Sequence, residues 1–217
     1  MIDGYGRDIN YLRLSVTDLC NLKCCYCMPA KGVPKKDHSE ILSIETFERI
    51  AYEAVSLGFT KIRVTGGEPL VRRGILDLIK GIADLKKRGL KDLTMTTNGQ
   101  LLSKYADDLK KAGLTRVNIS IDTLDSAKYK EITRGGDLQT VLDGIEAAKE
   151  AKLFPIKLNV VLIDGFNDDE IESFVNLTLD NELDVRFIEL MPLGEASMWD
   201  KGHFLPNSEV LARVPSL

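Results

Sequence analysis

After Cys27 the 217-residue sequence contains no further cysteine; all four lie between positions 20 and 27. Bridges that staple a small secreted fold need thiols spread along the chain, so this spacing points to metal or redox chemistry instead. No apolar run is long enough to cross a bilayer as a helix, and the polar start "MIDGYGRDIN" lacks the charged-then-apolar order of a secretory signal. The expected compartment is therefore the cytoplasm, where thiols stay reduced. A formal net charge of -4 and a pI near 5.4 leave no general attraction to nucleic acid or anionic lipid, so neither is an expected partner. There is no GxGxxG and no lysine-threonine phosphate loop, no internal repeat and no low-complexity linker. What remains, at 44% hydrophobic and 29% charged residues with 17 glycines and 7 prolines, is an ordered globular chain of one large domain.

Within "CNLKCCYC", the CxxxCxxC set Cys20, Cys24 and Cys27 can turn three sulfurs toward one point, while Cys25 diverges from its neighbour. Structural zinc asks for a fourth ligand, which would have to be Cys25 or one of the two histidines, His38 and His203. A thioredoxin-like pair, Cys24 with Cys27, would leave Cys20 unexplained. A 4Fe-4S cubane normally takes four cysteines; three would leave one iron open to a ligand that is not protein, which suggests catalysis. Cys25 and both histidines then fall to packing or surface positions.

Strand-like and helix-like segments alternate along the rest. Residues 11–16, 61–65, 92–97, 116–121, 156–163 and 185–190 read as strands. Between them run amphipathic stretches: one capped by Ser43 and stopped at Gly58, one from Ile75 ending at Gly89, one from Ser103 to Gly113, one opened by Asp137 and a last opened by Asn167. Such alternation implies βαβ crossovers and a parallel sheet. Buried parallel strands are normally apolar throughout. Here one parity is polar in strand after strand: Arg13 and Ser15, Lys61, Arg63 and Thr65, Thr94 and Thr96, Asn118 and Ser120, Lys157 and Asn159. With helices over the apolar parity, the polar one lines an inward cavity, favouring a partial barrel over an open sheet with a solvated face.

The C-terminal ends of barrel strands carry the site in such folds, and CxxxCxxC, "TGGEP" (65–69), "TTNG" and "SID" all begin there. The paired glycines are expected to let backbone approach a ligand, and Glu68 to meet an ammonium group.

CxxxCxxC after the first strand and "GGEP" after the second resemble the radical S-adenosylmethionine (SAM) superfamily. More specifically, "LRLSVTDLCNLKCCYCMP", "KIRVTGGEPLVRR", "TTNG", "NISID" and "RFIELMP", spanning Tyr11 to Pro192, resemble the GTP 3',8-cyclase (molybdenum-cofactor biosynthesis protein A) family. The resemblance implies a partial (β/α)6 TIM-like barrel over residues 1–192 and a 4Fe-4S cluster on Cys20, Cys24 and Cys27 with SAM on the open iron. Carried over by motif, Tyr26, Gly66, Gly67, Ser120 and Met191 would contact SAM and Glu68 its ammonium, while Arg13, Arg63, Thr96 and Lys157 would bind GTP. An external electron donor would reduce the cluster, SAM would yield a 5'-deoxyadenosyl radical, and removal of the 3' hydrogen of GTP would let the ribose close on carbon 8 of guanine, the first step of molybdenum-cofactor synthesis. Family members carry three further cysteines for a second 4Fe-4S cluster, an arginine-rich stretch and a Gly-Gly C-terminus. None stands in this sequence, which is therefore expected to match the N-terminal two-thirds of such an enzyme, with 193–217 the start of a truncated C-terminal extension. Two alternatives accompany that reading: a radical SAM maturase for another substrate, and a module that binds cluster and SAM without cyclising GTP.

Overall fold

The computed structural model describes residues 2–34, 37, 40–192, 195–196 and 203–215. Six strands, β1 (Tyr11–Ser15), β2 (Lys61–Thr65), β3 (Asp92–Thr97), β4 (Arg116–Ser120), β5 (Ile156–Leu162) and β6 (Leu183–Glu189), lie side by side in chain order. Every neighbouring pair is parallel. Helices connect them: α1 (Ile44–Ser56), α2 (Ile75–Asp84), α3 (Leu102–Lys111), α4 (Ser126–Ile132), α5 (Leu138–Glu150) and α6 (Ile171–Asp180), with α7 (Asn207–Arg213) after β6. This is the α/β partial-barrel architecture expected from the alternation.

Local chemistry explains the elements. Ser43 caps α1 by accepting the Thr46 N–H at 3.2 Å, and Gly58 ends it with φ +94°, a backbone state that glycine reaches without strain. In α2 the spacing of Ile75, Leu78, Ile79 and Ile82 puts four buried side chains on one stripe, each contributing roughly 1.5–3 kcal/mol by leaving water. That stripe meets the buried parity of the sheet, including Ile62, Val64, Leu93, Met95, Val117, Ile119, Leu158 and Val160, in one continuous core.

Two boundaries differ from the pattern. α3 begins at Leu102, one residue before Ser103, because the Leu102 N–H closes a turn on the Gly99 carbonyl at 3.0 Å. Asn167 does not cap α6. Its side chain instead accepts the Ile163 N–H and donates to the Asp122 and Val161 carbonyls, tying β5 to the loop after β4, and a 3-10 turn (Asp168–Glu170) precedes the helix. The short α4, opened by Asp125 accepting the Ala127 and Lys128 N–H groups, was not anticipated by periodicity. In the 193–217 stretch, Leu205 and Val210 are buried in the main core.

The opposite parity forms rungs across the inner face. Arg13, Arg63, Thr94 and Arg116 stand in register, then Thr96, Asn118, Lys157 and Asp184, then Ser120, Asn159 and Arg186. The alternation along β5, buried at Ile156, Leu158, Val160 and Leu162 and half-buried between them, shows one face under helices and the other partly open.

Candidate functional site

The loop after β1 carries the four cysteines and is held at several points. Within it the Cys27 and Met28 N–H groups both donate to the Cys24 carbonyl, at 3.0 and 2.9 Å, folding the CxxC segment into a tight turn. Against the end of α4, the Lys23 and Cys25 N–H groups donate to the Thr133 and Ile132 carbonyls at 3.2 and 2.9 Å. Arg134, itself at φ +54°, spans the turn with one guanidinium nitrogen, donating to the carbonyls of Lys23 (3.1 Å) and Met28 (2.7 Å). Cys25 packs with Ile132, Ile163, Leu190 and Ala196 in a small apolar cluster. Its direction thus differs from that of the CxxxCxxC set.

Burial pushes up the thiols of Cys20, Cys24 and Cys27, and their proximity adds to it: Cys27 raises both Cys20 and Cys24. All four cysteines are free. Among the described residues no three His, Cys, Asp or Glu side chains gather tightly enough to hold a single metal ion. A cubane asks for a different arrangement, because each thiolate takes its own iron and the sulfurs stand apart around the cluster. Three neighbouring free thiols, with a fourth turned into an apolar cluster, fit that demand. His203 lies beside Asp164, its Nδ1 3.4 Å from the Asp164 carbonyl oxygen, and His38 lies outside the described residues.

The glycines of "TGGEP" approach protein backbone very closely. The Gly67 N–H donates to the Thr17 carbonyl at 2.7 Å and the Glu68 N–H to the Leu19 carbonyl at 2.8 Å. A Cβ on Gly66 would lie 2.4 Å from the Thr17 oxygen, and one on Gly67 2.3 Å from the Leu19 oxygen. These glycines therefore let β2 dock the cysteine loop. Glu68 is fully buried. Its Oε1 accepts the Leu70 N–H and the Thr97 hydroxyl at 2.9 Å each, and its Oε2 the Asn98 N–H at 2.7 Å, so the carboxylate links "GGEP" to "TTNG".

Tyr26 donates its hydroxyl to Asp122 Oδ2 at 2.7 Å, while Asp122 Oδ1 accepts the Val161 N–H at 2.9 Å. Burial pushes the Asp122 carboxyl up to about 6, against these two donors that hold it down. Beside this pair a pocket of about 340 Å³ is lined by Tyr26, Cys27, Val161, Ile188, Glu189, Leu190, Met191 and Ala196. Met191 stands exposed at its mouth, and Ser120 ends β4 opposite Asn159.

On the inner face the basic residues differ in their freedom. Arg63 is partly desolvated, lies over the Tyr11 ring at 5.3 Å and donates to the Thr94 hydroxyl at 3.4 Å. Burial lowers its pKa, and the charges of Arg116, Arg186 and Arg13 lower it further. Arg116 is paired with Asp92 at 2.8 Å, and Lys157 with Asp184. Thr96 accepts from the Asn118 amide at 3.4 Å. Arg186 was not singled out from the sequence, although it shares the inward parity and stands in register with Asn159. Asn98, Asp122 and Arg134 were also missed; "TTNG" was noticed as a motif, yet nothing in it says which side chain turns toward the cysteines.

A family model for the radical SAM superfamily matches residues 14–178. GTP 3',8-cyclase of Alkaliphilus oremlandii is 57% identical over 217 residues, covering 100% of this chain and 67% of that protein. The chain belongs to the radical SAM superfamily and, within it, to the GTP 3',8-cyclase family. GTP 3',8-cyclase of Peptoclostridium acidaminophilum is 58% identical over 218 residues, covering 100% of this chain and 66% of the relative. The chain thus spans about two thirds of the length of these cyclases. Solved radical SAM structures share the fold: Streptococcus suis SuiB bound to precursor peptide SuiA aligns at TM-score 0.72 and 20% identity over 95% of this chain and 44% of that one. The structure titled anSMEcpe with bound AdoMet aligns at TM-score 0.62, 20% identity, 83% of this chain and 49% of its own. No helix among the described residues is long and apolar enough to cross a membrane.

Proposed function

We propose that this radical SAM protein acts on GTP as its family does, with Cys20, Cys24 and Cys27 holding a 4Fe-4S cluster whose fourth iron takes SAM. The observation that carries this reading is convergence. The cysteine turn, the "GGEP" turn and "TTNG" are joined by direct hydrogen bonds at the C-terminal end of the sheet, and the arginines lie on the inner face below them. A cluster with bound SAM supplies one-electron reductive cleavage to 5'-deoxyadenosine chemistry, fed by an external electron donor.

The protein's own residues hold and orient. Tyr26, Met191 and the pocket beside Cys27 receive the SAM adenosine, with Gly66, Gly67 and Ser120 at its edge; Glu68 supports this rim from beneath by fixing the Asn98 backbone. Arg13, Arg63 and Arg186 grip the triphosphate of GTP, with Thr96 and Lys157 on the next rung, because charge-assisted bonds to phosphate are strong in a secluded site. The barrel keeps the ribose 3' carbon near the radical source and water away from it.

Anaerobic reconstitution followed by reduction with SAM and GTP tests the reading. Expected are about four irons per chain, 5'-deoxyadenosine release, and GTP binding that protects Arg63 from guanidinium-directed labelling. A fully loaded protein whose reduced-cluster spectrum ignores SAM would overturn the SAM site; one that binds ATP as tightly as GTP would leave guanine selection to residues other than these.

A further inference from the structure

The three CxxxCxxC sulfurs are not equally surrounded. Cys20 Sγ accepts two hydrogen bonds: from the Leu22 N–H at 3.4 Å, a bond local to the loop, and from the Asn98 side-chain amide at 3.6 Å, which crosses from the end of β3. Sulfur is large and soft, and separations near 3.5 Å are ordinary for N–H donors to it.

The position of the Asn98 amide is over-determined. Its Nδ2 also donates to Asn21 Oδ1 at 2.8 Å, its Oδ1 accepts the Gln100 N–H at 3.1 Å, and its backbone N–H is held by the buried Glu68 carboxylate at 2.7 Å. With the oxygen committed to Gln100, the amide presents its NH2 toward the cysteine loop, where Asn21 and Cys20 share the two protons. Such pinning through both side-chain atoms and the backbone exceeds what closing the Asn98–Gln100 turn requires.

A hydrogen bond to a cluster thiolate draws negative charge from the sulfur, stabilises the reduced cluster relative to the oxidised one, and so raises the reduction potential. We propose that Asn98 is a positioning and tuning residue of the site: its amide fixes the Cys20 sulfur and sets the potential at which the cluster accepts its electron. This rests on the assignment of Cys20 as a cluster ligand. Glu68 and Asn21 act through Asn98, the first by holding its backbone and the second by orienting its amide.

The test is the midpoint potential of the reconstituted 217-residue chain, read by EPR-monitored redox titration without SAM, beside iron and sulfide content. Asn98→Ala removes the donor. Asn98→Asp keeps the shape and the Gln100 bond while placing an acceptor against the sulfur. The expected order is wild type highest, Asn98→Ala lower and Asn98→Asp lowest, the last by about tenfold in the one-electron equilibrium, which is ~59 mV. Equal potentials in fully loaded wild type and variants would overturn the proposal while leaving the cluster assignment intact. Failure of the wild type to take up iron would instead sink the assignment beneath it. Should Asn98→Ala load poorly, the wild type grown with amide-labelled asparagine gives a second reading. Pulsed EPR of the reduced cluster should detect hyperfine coupling to one side-chain amide, and its absence counts against the proposal.

Discussion

At the scale of single residues, neighbouring cysteines in "CNLKCCYC" have divided roles. Cys25 faces Ile132, Ile163, Leu190 and Ala196, whereas Cys24 and Cys27 bracket a turn whose thiols sense Cys20. Replacing Cys20, Cys24 or Cys27 by serine is expected to abolish the charge-transfer absorbance of the reconstituted cluster. Cys25→Ala should keep it and cost about 1 kcal/mol of stability by losing one apolar contact. Iron content and thermal melts of the four variants check both halves. The division was legible in the sequence because adjacent side chains diverge on any backbone, so spacing alone separates Cys25 from the other three. Arg186 and Asn98 were less legible for a physical reason. Arg186 is half-hidden in an otherwise apolar "RFIEL" strand, and the Asn98 contact bridges 78 positions of chain to reach Cys20, a distance only the fold can close. Glu68 was noticed for its charge, but its complete burial and its three donors follow from the packing of β2 against β3 and from nothing local.

At the scale of elements, the turn after β2 and the loop after β1 form one unit. Sequence reasoning assigned the glycines of "TGGEP" to close approach and was silent on what approaches; the contacts are the Thr17 and Leu19 carbonyls. Gly67→Ala would force backbone apart on both sides, and a destabilisation of roughly 2–4 kcal/mol is expected, with iron retention falling in parallel. Urea melts of the iron-free protein measure it, and a loss below about 0.5 kcal/mol would show the two backbones free to separate. Asp122 joins the same loop to β5 through Tyr26 and Val161. Its folded pKa of about 6 lies above the ordinary 3.8, so between those values the folded protein binds more protons than the unfolded chain. Stability from this group is complete below about pH 4 and declines as pH rises through about 6, by on the order of 3 kcal/mol. Denaturant midpoints of iron-free wild type and Asp122→Asn should therefore converge differently with pH. The variant should show the flatter profile across that window; identical slopes would mean that Asp122 titrates normally. Helix ends were legible where a cap or a glycine marked them, as at Ser43 and Gly58, and illegible where a polar residue had other work, as with Asn167.

At the scale of the whole molecule, charge is segregated. The chain carries a formal net charge of -4, yet Arg13, Arg63, Arg116, Arg186 and Lys157 crowd the inner rungs of the sheet. The two facts predict opposite salt effects on binding a nucleoside triphosphate. If net charge governed, protein and ligand would repel and added salt would strengthen binding by screening. If the inner face governs, its low-dielectric walls focus the positive field and salt weakens binding. The second is expected, with affinity for GTP falling at least about threefold between roughly 50 and 300 mM salt. Within the cationic set the residues should rank by desolvation and by competing partners. Arg63→Ala should cost most, on the order of 1.5–3 kcal/mol, because its guanidinium is partly buried among like charges that only a polyanion relieves. Exposed Arg13 should cost less, and Lys157→Ala least, since Asp184 already holds that ammonium and its loss leaves a carboxylate facing the ligand. Titration calorimetry at several salt concentrations separates these outcomes. A wild-type affinity that rises with salt, or an Arg63→Ala variant that binds GTP as well as wild type, would place the triphosphate away from the inner face of the sheet.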